Sequence, residues 1–535
     1  MASTLGRPAK SADPSRHGPD ALVGWLARTH RYNAPDADAA TASTFAAKIA
    51  SPGATRGIGA AMISRLENGT ATWLPRHLAA YEQALGLAPG RLAGPAHKVL
   101  RAHGRHAEDS SRTLVDEQDA AEIVDCVLGC DLVTSAEWDL LSAHLVATGR
   151  RLGRRTWGLL VERLMLELCA AQGAAQDMRA EALLRIGRAQ IASEITREVA
   201  VDAMTQRGNP ASFQPLKLYQ RTPGRAPASW VVRALFDPPD RWLLRELFST
   251  VAALIDAGAW RPSERELGAL RRECADTIGD AGIELEVRRA ATQLMRRITP
   301  SAHLALRGGT GPELVYLAKP AGVVDVQSGR FHATCSRLAA DIQDIGLIWQ
   351  AKWDRGDDPL LRHILTQSLV CPDDAARSMY TALLVNSGYR DALRPPLAAI
   401  LHCGADLMDP VLLRAVIRVF GKIAEGANDG WALLGIVDAE RIDLDTRVQA
   451  CWALANASPC MPSEVPDTML KICRTRSFGS QAVTVLRAGV AACGRADRHE
   501  SLVKLADDRE QAPAVRAECH WWTTLPGYIR ASART

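Results

Sequence analysis

Residues able to hold a metal or act as nucleophiles are numerous in this sequence but scattered. The chain of 535 residues holds 12 cysteines and 13 histidines. Cys126 and Cys130 stand four apart, a spacing that puts both on one helix face, and His332 lies three positions before Cys335. Tetrahedral zinc takes four ligands, usually from two such pairs, and no second pair occurs at finger spacing, so no metal site is expected. His402-Cys403 and Cys519-His520 are immediate neighbours, which a helix directs to different faces, and they make poor nucleophile–base dyads. The run RGGTG from Arg307 lacks the Lys and Ser or Thr that complete a phosphate loop, and reads as a turn. No G-x-S-x-G, H-E-x-x-H or dinucleotide fingerprint is present. The expectation is a chain without catalytic residues, without cofactor and without enzymatic activity.

Basic side chains offer a different chemistry. Net charge is only +4, from 64 Lys and Arg against 60 Asp and Glu. Residues 1–110 carry thirteen basic and eight acidic side chains, a net of +5, which leaves −1 on residues 111–535. A basic end on a neutral body is the electrostatic footprint of a nucleic-acid-binding head; the competing reading is chance variation among surface charges. Further along, Arg150, Arg151, Arg154 and Arg155 share one helix face. That face suits a phosphate or an acidic partner, or stands simply solvated.

Several features bear on the elements that must position such groups. Hydrophobic residues make up 47% and charged residues 23%, the balance of a folded chain, and the length calls for several cores. Aromatics are only 5%, with 13 Trp outnumbering 7 Phe and 7 Tyr, which together with abundant Ala, Leu and Arg favours helix over strand. No apolar run reaches membrane-spanning length, so no membrane partner is expected. Residues 1–19 lack an apolar core and read as a disordered tail, not a signal peptide. Cysteines without a paired framework point to a reducing, cytoplasmic compartment. Short helices are expected over Asp20–Arg31, with Asp20 as N-cap, then Thr41–Ala50, Gly59–Gly69 and Leu78–Leu85, with a fifth beginning near Pro89.

The segment ISRLENG from Ile63, followed by Pro75-Arg76 and LAAYEQALGLAPGRL, resembles the Cro/repressor-type helix-turn-helix domain of the XRE family, over roughly residues 20–92. The resemblance implies a five-helix domain, residues 20–108, whose third helix enters the major groove of double-stranded DNA. Spacing turns Ile63 and Leu66 inward and leaves Ser64 and Arg65 outward, with Arg65 suited to the O6/N7 edge of guanine. By resemblance, Asn68 would hold a phosphate, Arg76 would lie beside the minor groove, and Lys48 and Thr44 would approach the backbone. Two departures stand out. The recognition helix opens on Gly59, Ala60 and Ala61, which leaves Ala61 only a thymine methyl to touch. The preceding turn, Ser51–Ile58, is longer than the family's, and its Thr55 and Arg56 are expected to supply contacts that the bare helix start lacks. The alternative is a domain that has lost DNA binding and serves protein interaction. Heads of this type generally bind as dimers, so a homodimer or higher oligomer is expected.

Beyond residue 108 the chain reads as helix after helix. Gly208–Ser229 carries four prolines and breaks the pattern, and a Gly/Pro-rich patch from Arg307 breaks it again. An α-helical middle domain is expected over 109–320. In residues 321–535, Arg377, Arg414, Arg447, Gln481 and Arg516 open similar helices at separations of 37, 33, 34 and 35. A period in the thirties built of helix pairs argues for an α-solenoid, and the pattern resembles HEAT-type repeats. A tetratricopeptide-like array, or ordinary packing with coincidental spacing, stays open. Trp521-Trp522 reads as a core cap or a partner patch. The expectation is therefore an all-α, sequence-specific DNA-binding transcriptional regulator, its body serving oligomerisation, sensing or partner binding. The alternative is a non-enzymatic α-solenoid scaffold of a plasmid, phage or defence system, anchored to DNA by its head, with a protein partner on the repeat surface.

Overall fold

A computed structural model describes residues 18–39, 41–49, 58–88, 90–104, 117–148, 152–189, 192–206, 208–209, 216, 225–238, 243–256, 258–280, 283, 285–299, 333, 336–342, 344, 358–371, 374–404 and 408–535. Regular structure among these residues is helical, without a strand, so the fold is all-α as composition and periodicity require. Numbered in chain order, the described α-helices begin with α1 (Pro19–Asn33), α2 (Ala42–Ile49), α3 (Ala60–Glu67), α4 (Pro75–Leu85) and α5 (Ala93–Ala102). Next come α6 (Glu117–Leu128), α7 (Ser135–Thr148), α8 (Arg154–Ala170), α9 (Gly173–Arg188), α10 (Ser193–Thr205), α11 (Arg225–Phe236), α12 (Leu244–Asp256), α13 (Glu264–Gly279) and α14 (Leu285–Ile298). Then α15 (Pro359–Val370), α16 (Asp374–Val385), α17 (Arg390–Ala399) and α18 (Pro410–Phe420) follow. The last are α19 (Gly426–Asp438), α20 (Leu444–Ala457), α21 (Glu464–Thr475), α22 (Ala482–Arg495), α23 (His499–Asp507), α24 (Pro513–Thr524) and α25 (Gly527–Ala533).

The chain divides into two compact units, each assembled from two separated stretches: residues 1–114 with 324–424, and residues 115–323 with 425–535. In the first unit α1–α5 gather around Leu22, Leu26, Phe45, Ile63, Leu66, Trp73, Leu78 and Tyr81, all at most 2% exposed. Helix ends follow local rules. Gly18, not Asp20, caps α1, with Pro19 at its first position, where the missing N–H costs nothing. Asp20 instead accepts a 3.0 Å bond from the Trp73 amide. Helix α4 stops at Gly86, whose φ of 63° is left-handed and suits glycine. Asp358 and Asp409, each followed by proline, cap α15 and α18 through their carboxylates. Helix α16 packs on α15 and on α5, and α18 packs on α15.

The second unit has a buried polar centre on α8. Glu167, fully buried, accepts from Arg163 Nε at 2.9 Å, Arg179 Nε at 3.0 Å and Trp138 Nε1 at 2.8 Å. Three donors on one carboxylate leave that charge well compensated in the interior. Arg179, on α9, also donates to the carbonyls of Val133 and Ser532, which ties α25 to α9. Helices α19 to α24 stack as pairs. Helices α20, α22 and α24 form one row, α19 and α21 lie beside each other, and α19–α20, α21–α22 and α23–α24 pack as hairpins. Arg447 and Arg516 lie in the first turns of α20 and α24 and Gln481 immediately precedes α22, so this part of the sequence period is the repeat of a solenoid-like stack. Trp521 and Trp522 meet edge to face at 4.9 Å, 5% and 1% exposed, and belong to the core rather than to a surface patch. Cys126 and Cys130 do not share a helix face: α6 ends at Leu128, and Cys130 sits beyond it with φ 64°. Among the described residues no cluster of His, Cys, Asp or Glu could hold a metal; His332 and Cys335 lie outside them.

Candidate nucleic-acid interface

Helix α3 is held against α1 so closely that two glycines are required. A Cβ on Gly24 would lie 2.5 Å from the Leu66 carbonyl oxygen and 2.8 Å from that of Glu67. Beyond the helix, Gly69 has φ 68°, and a Cβ there would meet the Ala21 backbone at 2.6 Å. Backbone cannot yield as a side-chain tip can, so both positions exclude larger residues. Trp73 closes the same corner by donating its indole N–H to the Leu66 carbonyl at 3.0 Å.

Beneath α3 a buried ion pair joins three helices. Arg31 of α1 grips Glu67 with two parallel bonds, Nε to Oε1 at 2.6 Å and Nη2 to Oε2 at 2.7 Å. Tyr81 of α4 donates to the same carboxylate at 3.1 Å, and Arg31 also donates to the Ala39 carbonyl at 2.9 Å. Burial works against the Arg31 charge, but the bonded Glu67 carboxylate outweighs it and raises the guanidinium above its ordinary value. Burial, reinforced by the Glu67 charge, pushes the Tyr81 phenol up, so it stays a donor. On α4, the buried Glu82 carboxylate accepts from the amides of Gly90, Leu92 and Ala93, which anchors the start of α5.

The opposite side of α3 faces solvent. Ile63 and Leu66 are fully buried, whereas Ala61, Ser64, Arg65 and Asn68 are exposed, an i, i+3, i+4, i+7 stripe along one face. Asn68 caps the helix end and donates to Ser64 Oγ at 3.4 Å. Arg76 is exposed in the first turn of α4. Burial, with the Arg76 charge beside it, lowers the His77 imidazole, whose Nδ1 accepts from the Leu74 amide.

Two other sequence-expected contact residues, Lys48 and Thr44, have partners within the chain. Lys48 forms a 2.6 Å ion pair with Asp36. That hydrogen bond, with a second from the Asp38 amide, holds the Asp36 carboxyl below its ordinary range. Thr44 is exposed but serves its own helix: its amide bonds Thr41 Oγ1 at 3.1 Å, and the two hydroxyls meet at 2.9 Å. Thr55 and Arg56 lie outside the described residues, as do Arg150 and Arg151. On that second basic face, Arg154 pairs with Glu198 at 2.8 Å and Glu194 at 3.5 Å, while Arg155 is exposed.

The structure also joins α1 to residues some 330 positions away, a contact no local spacing signals. The Trp25 indole donates to Asp358 Oδ2 at 3.0 Å, and the Tyr389 hydroxyl reaches the same oxygen at 3.5 Å. Thr29 Oγ1 accepts from the Gly388 amide at 3.0 Å, and His30 Nε2 donates to the Asn386 carbonyl at 2.5 Å. Desolvation in this contact lowers the His30 imidazole to about 4, against a partial rise from the Asn386 bond, so it is neutral at pH 7.

No helix among the described residues is long and apolar enough to cross a membrane. No family model and no curated protein matches the sequence. Among solved structures the chain is similar to human deoxyhypusine hydroxylase in complex with glycerol, at 17% identity and a TM-score of 0.29, covering 63% of this chain and 98% of that one. It is also similar to Kap121p bound to Nup53p, at 12% identity and a TM-score of 0.21, covering 95% of this chain and 50% of that chain. Likeness at this level carries no argument about function.

Proposed function

We propose that this protein is a sequence-specific DNA-binding regulator of transcription whose α3 reads the major groove. The observation that supports this reading is the stripe Ala61, Ser64, Arg65, Asn68: a slim, exposed helix face backed by a rigidly tied core. An α-helix fits the major groove of B-form DNA, and an arginine projecting from it is the commonest reader of guanine. Arg65 is the base-reading residue, Ser64 and Asn68 set the register against the phosphates, and Ala61 lies where only a methyl group can be touched. Arg76 adds a backbone contact from α4. Thr44 and Lys48 contribute less than the family resemblance implies, because a cap and the Asp36 pair occupy them.

Selection of duplexes from a random library by the purified chain, followed by footprinting, tests the reading. One enriched motif with a bounded footprint is the expected result; a chain that retains all duplexes equally contradicts it. The stacked helices α19–α24 also favour a second role: an extended repeat surface suits a protein partner. In that reading the head anchors a scaffold, and deletion of the protein leaves transcripts near its binding sites unchanged.

A further inference from the structure

We propose that the DNA-reading module is composite, with Asp358, Asn386, Gly388 and Tyr389 forming a dock that positions α3 through α1. This inference rests on the DNA-reading proposal and names the residues that control the same face.

The dock is built of directional contacts rather than loose apolar packing. Asp358 divides its carboxylate between two tasks. Oδ1 caps α15 by accepting from the Leu360 and Leu361 amides, both at 3.1 Å, and Oδ2 accepts from the buried Trp25 indole at 3.0 Å. Trp25 and Tyr389 lie ring against ring at 6.3 Å. One turn along α1, Thr29 and His30 take up the Gly388 amide and donate to the Asn386 carbonyl. The approach at Gly388 leaves no room: a Cβ there would lie 2.3 Å from the Thr29 carbonyl oxygen and 2.8 Å from Asn33 Nδ2. The chain thus places a glycine where α1 needs backbone-to-backbone contact.

The path from the dock to the reading face is short and stiff. Trp25 and Gly24 are adjacent on α1, and Gly24 abuts the Leu66 and Glu67 carbonyls at the end of α3. Two turns along from Gly24, Arg31 holds Glu67 directly. Displacing α1 on its dock therefore displaces the helix that carries Ser64, Arg65 and Asn68. An arginine reads guanine through two hydrogen bonds of fixed geometry, so a misplacement of about 1 Å costs base reading far more than it costs phosphate attraction. Asp358 and Gly388 are positioning residues: they touch no DNA, yet they set where Arg65 points.

The test uses the full chain, a duplex selected by it from a random library, and a mixed-sequence duplex of equal length. Gly388→Val drives a side chain against the α1 backbone at Thr29 while leaving every residue of the head's apolar core in place, and Trp25→Phe removes the indole donor while keeping a ring. Hydrogen exchange by mass spectrometry reads the dock in peptides spanning 358–362 and 386–390, and the head in a peptide spanning 63–73. The expected result is faster exchange in the dock, unchanged exchange at 63–73, about tenfold weaker binding to the selected duplex, and mixed-duplex binding within about twofold of wild type. Faster exchange in the dock with selected-duplex affinity unchanged overturns the inference and leaves the DNA reading standing. If the valine wedge also opens 63–73, the Trp25→Phe comparison decides by the same criteria. A wild-type chain that selects no duplex overturns the DNA reading, and this inference falls with it.

Discussion

Breaking the Arg31–Glu67 pair from one side strands a buried guanidinium, and that asymmetry makes it the sharpest test of the head's interior. Glu67→Gln is expected to destabilise the first unit by about 3 kcal/mol, seen as faster hydrogen exchange across α1, α3 and α4. Unchanged exchange would mean that the pair holds nothing. His30 carries a pH prediction. Its folded pKa of about 4 lies below the ordinary 6.5, so between these values the unfolded chain binds the proton that the dock refuses. Stability is full above pH 6.5, falls as pH drops toward 4, and loses at most about 3 kcal/mol in that window. Exchange at 386–390 should therefore quicken from pH 7 to pH 5, beyond the intrinsic pH effect, in wild type but not in His30→Gln. At this scale the sequence was readable where a single helix decides the outcome. Ile63 and Leu66 turn inward, and Ser64 and Arg65 outward, because helical period alone dictates it. The occupation of Lys48 by Asp36 and of Thr44 by Thr41 was not readable, since it depends on how a loop and a cap fold back.

Among the elements, α1 and α3 are defined by what they exclude. Gly24→Ala places a methyl group 2.5 Å from a backbone carbonyl, with no flexible tip to yield, and should cost more than about 2 kcal/mol. Gly59→Ala meets nothing within 4 Å, and as a change at the N-cap of α3 should cost no more than about 1 kcal/mol. Thermal unfolding of the two variants checks the contrast; equal shifts would contradict the close approach. In the solenoid-like stack, a Cβ on Gly494 of α22 would fall 2.2 Å from the Trp522 ring. Helix ends were largely visible in advance because proline, glycine and aspartate punctuate them locally. Starts were less visible: α4 begins at Pro75, three residues before the expected Leu78, and α5 begins at Ala93 rather than near Pro89. Gly18, not Asp20, caps α1, the Asp20 carboxylate being drawn to the Trp73 amide 53 positions away. The repeat period was visible because Arg447, Gln481 and Arg516 open helices that stack on one another. What no reading along the chain can see is a unit built of residues 1–114 with 324–424, since nothing in local pattern ties α1 to Asp358.

Across the whole molecule, residues 1–110 carry a net of +5 and the remainder −1, a division suited to a head that meets phosphates and a body that does not. Paired heads on paired half-sites would protect DNA over more than one helical turn, so a footprint confined to one half-site would argue for a monomer. Base reading by Arg65 is tested most directly by one binding comparison. Affinities of wild type and Arg65→Ala are measured for a selected duplex and a mixed-sequence duplex across a range of salt. If Arg65 reads a base, the selected duplex loses tenfold to hundredfold in affinity, from the roughly 1–3 kcal/mol of a good bidentate contact, with a far smaller change on the mixed one. Equal losses on both duplexes with a shallower salt slope would make Arg65 a phosphate contact, and no loss on either would remove α3 from the interface.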